Sequence, residues 1–115
     1  MFNVGVIGAG SMGAGIAEVA ATFGHSVVIY DNAVGARDKF ENGLQRNFQK
    51  LVEKGKMTAE TAQEITGRIK FVQKLQDVSE SDIVIEAVVE DIKIKKEIFT
   101  ELEQVCKHDC ILATN

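Results

Sequence analysis

Gly8-Ala9-Gly10-Ser11-Met12-Gly13 sets three glycines at the spacing G-x-G-x-x-G, directly after the apolar run Val4-Gly5-Val6-Ile7. Between a strand and a helix, such a turn suits one kind of chemistry. Its first glycine permits the tight turn, its second lets a ligand approach the backbone, and its third lets helix and strand come close. Free backbone N–H groups and the positive helix end then hold a pyrophosphate. Asp31 stands 18 residues after Gly13, at the end of a second apolar run, Val27-Val28-Ile29-Tyr30. A carboxylate there accepts hydrogen bonds from an adenosine ribose and repels a 2′-phosphate, so the pair of features describes a dinucleotide site that prefers NAD to NADP. The glycines alone would be a weak signal, because a ligand-free structural turn can have the same pattern. Asp31 can also cap the segment that follows it, and the two roles are compatible.

Other candidate residues carry two readings each. Glu90 follows the run Ile83 to Val89, at the strand edge where ligands bind in open parallel sheets, and equally fits an acid at a helix N-terminus. Lys95 belongs either to a ligand contact or, with Lys93 and Lys96, to a solvated face. Glu86 lies within an apolar strand and needs a partner if buried. Residues 33–56 hold six basic side chains (Arg37, Lys39, Arg46, Lys50, Lys54, Lys56) against Asp38, Glu41 and Glu53, a local charge of +3 in a chain of −4. Lys39, Arg46, Lys50 and Lys54 recur along one helix side, which suits a phosphate-rich ligand or an ordinary solvated face. His25 and His108 are both placed as structural residues near helix ends, and no metal cluster or Ser-His-Asp set can be assembled. The visible chemistry is binding without an acid–base group.

The elements needed to position these residues follow from hydrophobic periodicity. Residues 2–7 read as a strand, and the glycine turn opens a helix whose inner face is expected to include Ile16, Val19, Ala20 and Phe23, stopped by Gly24. Residues 26–30 form a second strand. Between Asp31 and the run at Ile69 to Val72, Phe40, Leu44, Phe48, Leu51 and Val52 recur at helical spacing over residues 34–54. Thr58 can cap a second helix reaching about Gly67, with Ala59, Ala62 and Ile65 inward. Residues 82–89 suit the middle of a parallel sheet, followed by an amphipathic helix to about Lys107 and a last strand over residues 110–114. The expected fold is α/β: a Rossmann-type doubly wound parallel sheet with a helical hairpin inserted after the second strand.

Composition narrows the function classes. The chain has 115 residues, 45% of them hydrophobic and 26% charged, enough for one domain with a real core. No window approaches the roughly 18 uncharged apolar residues of a membrane span, and the acidic balance disfavours a general nucleic-acid binder. The N-terminus lacks the pattern of a signal peptide, so a cytoplasmic location is expected. Cys106 and Cys110 are the two cysteines and are expected as buried free thiols.

The motifs resemble those of the 3-hydroxyacyl-CoA dehydrogenase family, through its NAD-binding domain. The resemblance rests on Val6-Ile7-Gly8-Ala9-Gly10-Ser11-Met12-Gly13-Ala14-Gly15-Ile16-Ala17, on Leu51-Val52-Glu53-Lys54-Gly55-Lys56, on Asp82-Ile83-Val84-Ile85-Glu86-Ala87-Val88 and on Ile111-Leu112-Ala113-Thr114-Asn115, and so covers essentially the whole chain. It implies that Gly8, Ala9, Gly10, Ser11, Met12, Gly13 and Asp31 bind NAD, with Glu90, Lys95 and Asn115 nearer the nicotinamide half. Lys54 would contact the coenzyme A of an acyl-CoA substrate, and Asn47 stands where some relatives present a serine. The implied reaction is hydride transfer between NAD and the 3-hydroxyl of an acyl-CoA, a short-chain one such as 3-hydroxybutyryl-CoA, in β-oxidation or butanoate metabolism.

The family's histidine base and its glutamate partner fall beyond Asn115, as does a helical second domain. The chain therefore reads as an N-terminal piece, residues 1–115, inactive alone, of an enzyme expected to be a homodimer. Its exposed last strand could also make the piece self-associate. A stand-alone NAD-sensing module and a related dehydrogenase of the gulonate branch, acting without CoA, remain as alternatives.

Overall fold

The structure is a computed structural model that describes residues 2–87, 92–107 and 109–114, with the side chains of residues 92–95 and 114 outside that description. Five strands, Asn3–Ile7 (β1), Ser26–Tyr30 (β2), Ile69–Val72 (β3), Ile83–Glu86 (β4) and Ile111–Thr114 (β5), form one sheet in the order β3-β2-β1-β4-β5. Every pairing is parallel, with Gly5 opposite both Val28 and Val84. The chain winds outward from β1 to one side, then crosses back to build the other. This is the Rossmann-type arrangement, and its crossover point lies at the carboxyl ends of β1 and β4.

Val4 and Val6 point to one side of β1 and Ile7 to the other, so the central strand is buried on both faces, as a continuous apolar run requires. On the first face, helices Ser11–Thr22 (α1), Ala36–Glu53 (α2) and Ala59–Gly67 (α3) cover a core that includes Ala17, Val27, Ile29, Phe40, Leu44 and Phe48. On the second, a 3₁₀ turn at Leu75–Val78 and helix Ile92–Val105 (α4) cover Ile7, Val72, Val84 and Leu102. The hairpin of α2 and α3 after β2 is present as the periodicity predicts. Thr58 caps α3 by accepting from the Thr61 N–H at 3.1 Å, and Gly24 and Gly55 follow the ends of α1 and α2.

The inner face of α1 matches expectation at Ile16 and Ala20, which pack half-buried against the core, and differs at Val19 and Phe23. Gly13, Ala17 and Ala21 are buried, whereas Val19 and Phe23 are 59% and 77% exposed. A Cβ built on Gly13 would lie 1.7 Å from the Gly8 carbonyl oxygen, so the helix approaches the turn too closely for anything larger than glycine. Small residues spaced at i, i+4 and i+8 continue that close approach, and Val19 and Phe23 are turned outward. Ala59 is likewise exposed, while Ala62 and Ile65 do face inward. Cys106 and Cys110 are free thiols as expected, but half-buried, because they flank the surface turn between α4 and β5.

Asp82 fixes the amino-terminal end of the two central strands. Its Oδ2 accepts from the Asn3 N–H at 2.8 Å and its Oδ1 from the Lys107 ammonium at 2.7 Å, tying the starts of β1 and β4 to the end of α4. The Asn3 N–H first, and the Lys107 hydrogen bond second, hold the Asp82 carboxyl below the usual carboxylate range.

Candidate functional site

The glycine turn sits where β1 runs into α1. Gly8 takes φ 104°, a left-handed conformation that only glycine adopts at little cost, and its N–H donates to the Tyr30 carbonyl at 2.7 Å. This bond aligns the ends of β1 and β2. Helix α1 then starts at Ser11 with no side-chain cap and no acid in its first turn, leaving its positive end available to an anion. A Cβ on Gly10 would meet nothing within 4 Å, so the middle glycine opens the surface that a pyrophosphate would use.

Asp31 is built into this turn. Its Oδ2 accepts from the Ala9 N–H at 2.9 Å and its Oδ1 from the Ala33 N–H at 2.8 Å. Each oxygen therefore keeps acceptor capacity for a ligand hydroxyl. Asp31 does not cap α2, whose N-cap is Gly35. The fit to a nucleotide rests on this donor and acceptor set: N–H groups and a helix end for phosphate, a carboxylate for ribose.

From Gly10 a cleft of 590 Å³ continues between α1 and α2. Ala14, Gly15 and Glu18 line it from α1, and Lys39, Arg46 and Asn47 from α2. Gly15 and Gly43 keep it open, since a Cβ at either would meet nothing within 4 Å. Asn47 donates from Nδ2 to Glu18 Oε1 at 3.1 Å across the cleft. Sequence reasoning missed Glu18, because its partner lies 29 residues away on another helix.

Of the residues singled out from sequence, the structure brings together Gly8, Ala9, Gly10, Ser11, Gly13, Asp31 and Asn47 in and around one cleft. Met12, in the first turn of α1, is 57% exposed. Lys54 is the exposed C-cap of α2, about 10 Å along the helix from Asn47, and does not line the cleft. Glu90, Asn115 and His108, with the side chain of Lys95 and with Val88 and Val89, which the sequence pattern assigns to the strand, lie outside the described residues. Glu86 is fully buried at the end of β4. His25 accepts from the Phe2 N–H at 3.1 Å and lies 5.6 Å from the Phe2 ring, a structural setting at the end of the sheet remote from the glycine turn.

A larger groove of 970 Å³ lies between α2, α3 and β3, floored by Phe40, Phe48 and Phe71. It holds none of the phosphate-binding features, so the smaller cleft is the functional candidate. No helix among the described residues is long and apolar enough to cross a membrane.

A parallel sheet wound outward from β1, a glycine turn against a helix N-terminus and a carboxylate at the end of β2 define a dinucleotide-binding oxidoreductase domain. Residues 3–115 match the family described as 3-hydroxyacyl-CoA dehydrogenase, NAD binding domain, and the chain belongs to that family. It is 43% identical over 113 residues to a 3-hydroxybutyryl-CoA dehydrogenase of Clostridioides difficile, covering 98% of this chain and 40% of the relative. It is 41% identical to a 3-hydroxyadipyl-CoA dehydrogenase of Escherichia coli, covering 98% of this chain and 24% of the relative. The crystal structure of an (S)-3-hydroxybutyryl-CoA dehydrogenase from Ralstonia eutropha superposes with a TM-score of 0.94 at 32% identity, over 100% of this chain and 41% of that one. The chain thus spans about 40% or less of the length of these relatives.

Proposed function

We propose that this chain is the NAD-binding part of a dehydrogenase that moves a hydride between NAD and the 3-hydroxyl of a short-chain 3-hydroxyacyl-CoA such as 3-hydroxybutyryl-CoA. The observation that carries the reading is the single cleft that joins the glycine turn and Asp31 to the polar and basic side of α2. One ligand's diphosphate and another's phosphates would then bind side by side.

In this reading the turn from Gly8 to Gly13 and the N-terminus of α1 bind the cofactor's pyrophosphate, and Asp31 accepts its ribose hydroxyls. The bound nicotinamide supplies the group that gains or gives up the hydride. Glu90, Lys95 and Asn115 are assigned to the nicotinamide side by family resemblance. Asn47 offers a carboxamide to the coenzyme A, and Lys54 attracts its phosphates from the end of α2. His25, the one histidine among the described residues, is held by Phe2 at the other end of the sheet from the glycine turn and offers no base there, so the chain alone should bind without turnover. Homodimerisation of the longer protein, self-association through the outer strand β5 and a cytoplasmic location belong to the same proposal.

The test is a titration of the purified protein with NADH, NADPH and acetoacetyl-CoA, followed by an assay of NADH oxidation. Binding of NADH well ahead of NADPH, together with acetoacetyl-CoA and no turnover, is the expected result. Failure to bind acetoacetyl-CoA would remove the substrate assignment, and turnover like that of a full-length relative would remove the division of labour.

A further inference from the structure

The cleft between α1 and α2 is less basic than α2 by itself. Lys39 and Arg46 face it from one side, and Glu18 and Asp31 from the other, so two cations meet two carboxylates and the wall is electrically balanced. Asp31 serves the glycine turn, where it accepts from Ala9 and Ala33. Glu18 lies about two helical turns further along α1 and accepts from Asn47. A carboxylate can only accept, so this contact turns the Asn47 NH₂ group towards Glu18. The carboxamide oxygen and the second N–H are left for whatever enters.

We propose that Glu18 is a positioning and specificity-determining residue of this cleft: its carboxylate orients the Asn47 carboxamide, and its charge weakens the cleft's hold on ligand phosphate. The proposal rests on the reading of the cleft as the acyl-CoA site and deepens it. Without Glu18 the wall would keep two cations against Asp31 alone and would hold polyphosphates indiscriminately. With Glu18 present, bare phosphate is held weakly, and a ligand gains affinity only if it also meets Asn47 with a hydrogen-bonding stem. Specificity then comes from the penalty set against the wrong ligand as much as from contacts to the right one.

Two substitutions separate the roles. Glu18→Gln keeps the acceptor oxygen and removes the charge, whereas Glu18→Ala removes both. Affinities of the purified protein for acetoacetyl-CoA and for inorganic pyrophosphate, with NADH saturating and at low and moderate salt, read the charge. In Glu18→Gln both should tighten about three- to tenfold, with a steeper salt dependence. The side-chain amide resonances of Asn47, compared by NMR in the parent, Glu18→Gln and Glu18→Ala proteins, read the positioning. They should move in Glu18→Ala, which loses the acceptor, and move less in Glu18→Gln, which keeps an acceptor oxygen, and Asn47→Ala should change acetoacetyl-CoA binding less in a Glu18→Ala background than in the parent. Unchanged affinity for both probes in Glu18→Gln, or Asn47 resonances left unmoved by Glu18→Ala, would overturn the proposal. If acetoacetyl-CoA binds no form while pyrophosphate still tightens in Glu18→Gln, the substrate reading fails and the role of Glu18 stands.

Discussion

Asp31 and Ala9 are joined by a hydrogen bond of 2.9 Å that makes the carboxylate at the end of β2 part of the glycine turn. The same side chain holds Ala33 through its other oxygen, so Asp31 shapes the turn before any ligand arrives. Asp31→Asn has one acceptor oxygen and one donor NH₂, and so must abandon one backbone N–H. A loss of about 1–2 kcal/mol in stability follows from one unsatisfied donor. Preference for NADH over NADPH should narrow too, because the charge facing a 2′-phosphate is gone. Urea unfolding and paired titrations check both effects, and an Asp31→Asn protein with the parent's stability would show that the two backbone bonds contribute little.

Gly13 and Gly10 should respond in opposite ways to alanine. At Gly13 the added carbon would collide with the Gly8 carbonyl oxygen, which is backbone and cannot move without displacing the turn. Gly13→Ala is expected to cost about 3 kcal/mol or more and to lower NADH affinity with it. At Gly10 the added carbon meets nothing, so stability should hardly change while NADH affinity drops, because the methyl occupies the space a pyrophosphate needs. Thermal unfolding beside NADH titration tells the two apart.

Much of this architecture is legible in the chain because parallel strands announce themselves as short apolar runs and glycines mark the turn between β1 and α1. The α2–α3 hairpin is legible for a similar reason: Phe40, Leu44 and Phe48 repeat at helical spacing and are all buried. The inner face of α1 is legible only in part: Ile16 and Ala20 pack inward, but periodicity also gives weight to large residues such as Val19 and Phe23, which are exposed. Close approach to the sheet selects small ones instead. Charge was misleading in the same way. Counting residues 33–56 alone gives a basic segment, but Glu18 and Asp31 face it from elements earlier in the chain. Only the folded arrangement shows that they meet.

Stability should decline above about pH 9. Burial, and then the neighbouring Cys110, push the Cys106 thiol from 9.0 up to about 11. A group whose folded value is raised stabilises the fold fully below its unfolded value, and that contribution is lost as pH rises from about 9 to about 11. Lys107 is raised by its hydrogen bond to Asp82, so its contribution is present below 10.5 and disappears as pH climbs past that value. Asp82 behaves oppositely: its depressed carboxyl stabilises above 3.8, and the effect fades as pH falls through the folded value. Unfolding midpoints measured across this range should form a plateau with both shoulders. Cys106→Ala should flatten the first part of the alkaline limb, and a midpoint that stays level to pH 11 would contradict the assignment.

Gly43→Ala offers a test in which stability and binding should part company. Gly43 lies inside α2 without a positive φ, and a Cβ there meets nothing within 4 Å. Alanine in a helix interior is worth about 0.5–1 kcal/mol over glycine, so the melting temperature should rise by roughly 2–8 °C in a domain of this size. The new methyl group would stand in the cleft that Gly43 lines opposite α1. If acyl-CoA uses that cleft, affinity for acetoacetyl-CoA should fall even as the fold becomes more stable. Gly67→Ala is the control: its Cβ also meets nothing, but it sits at the end of α3, beside the other groove. That substitution should leave acetoacetyl-CoA binding untouched. A Gly43→Ala protein that melts higher and binds acetoacetyl-CoA as before would show that the ligand does not pass between α1 and α2, and would move the search for its site to the end of α2 around Lys54.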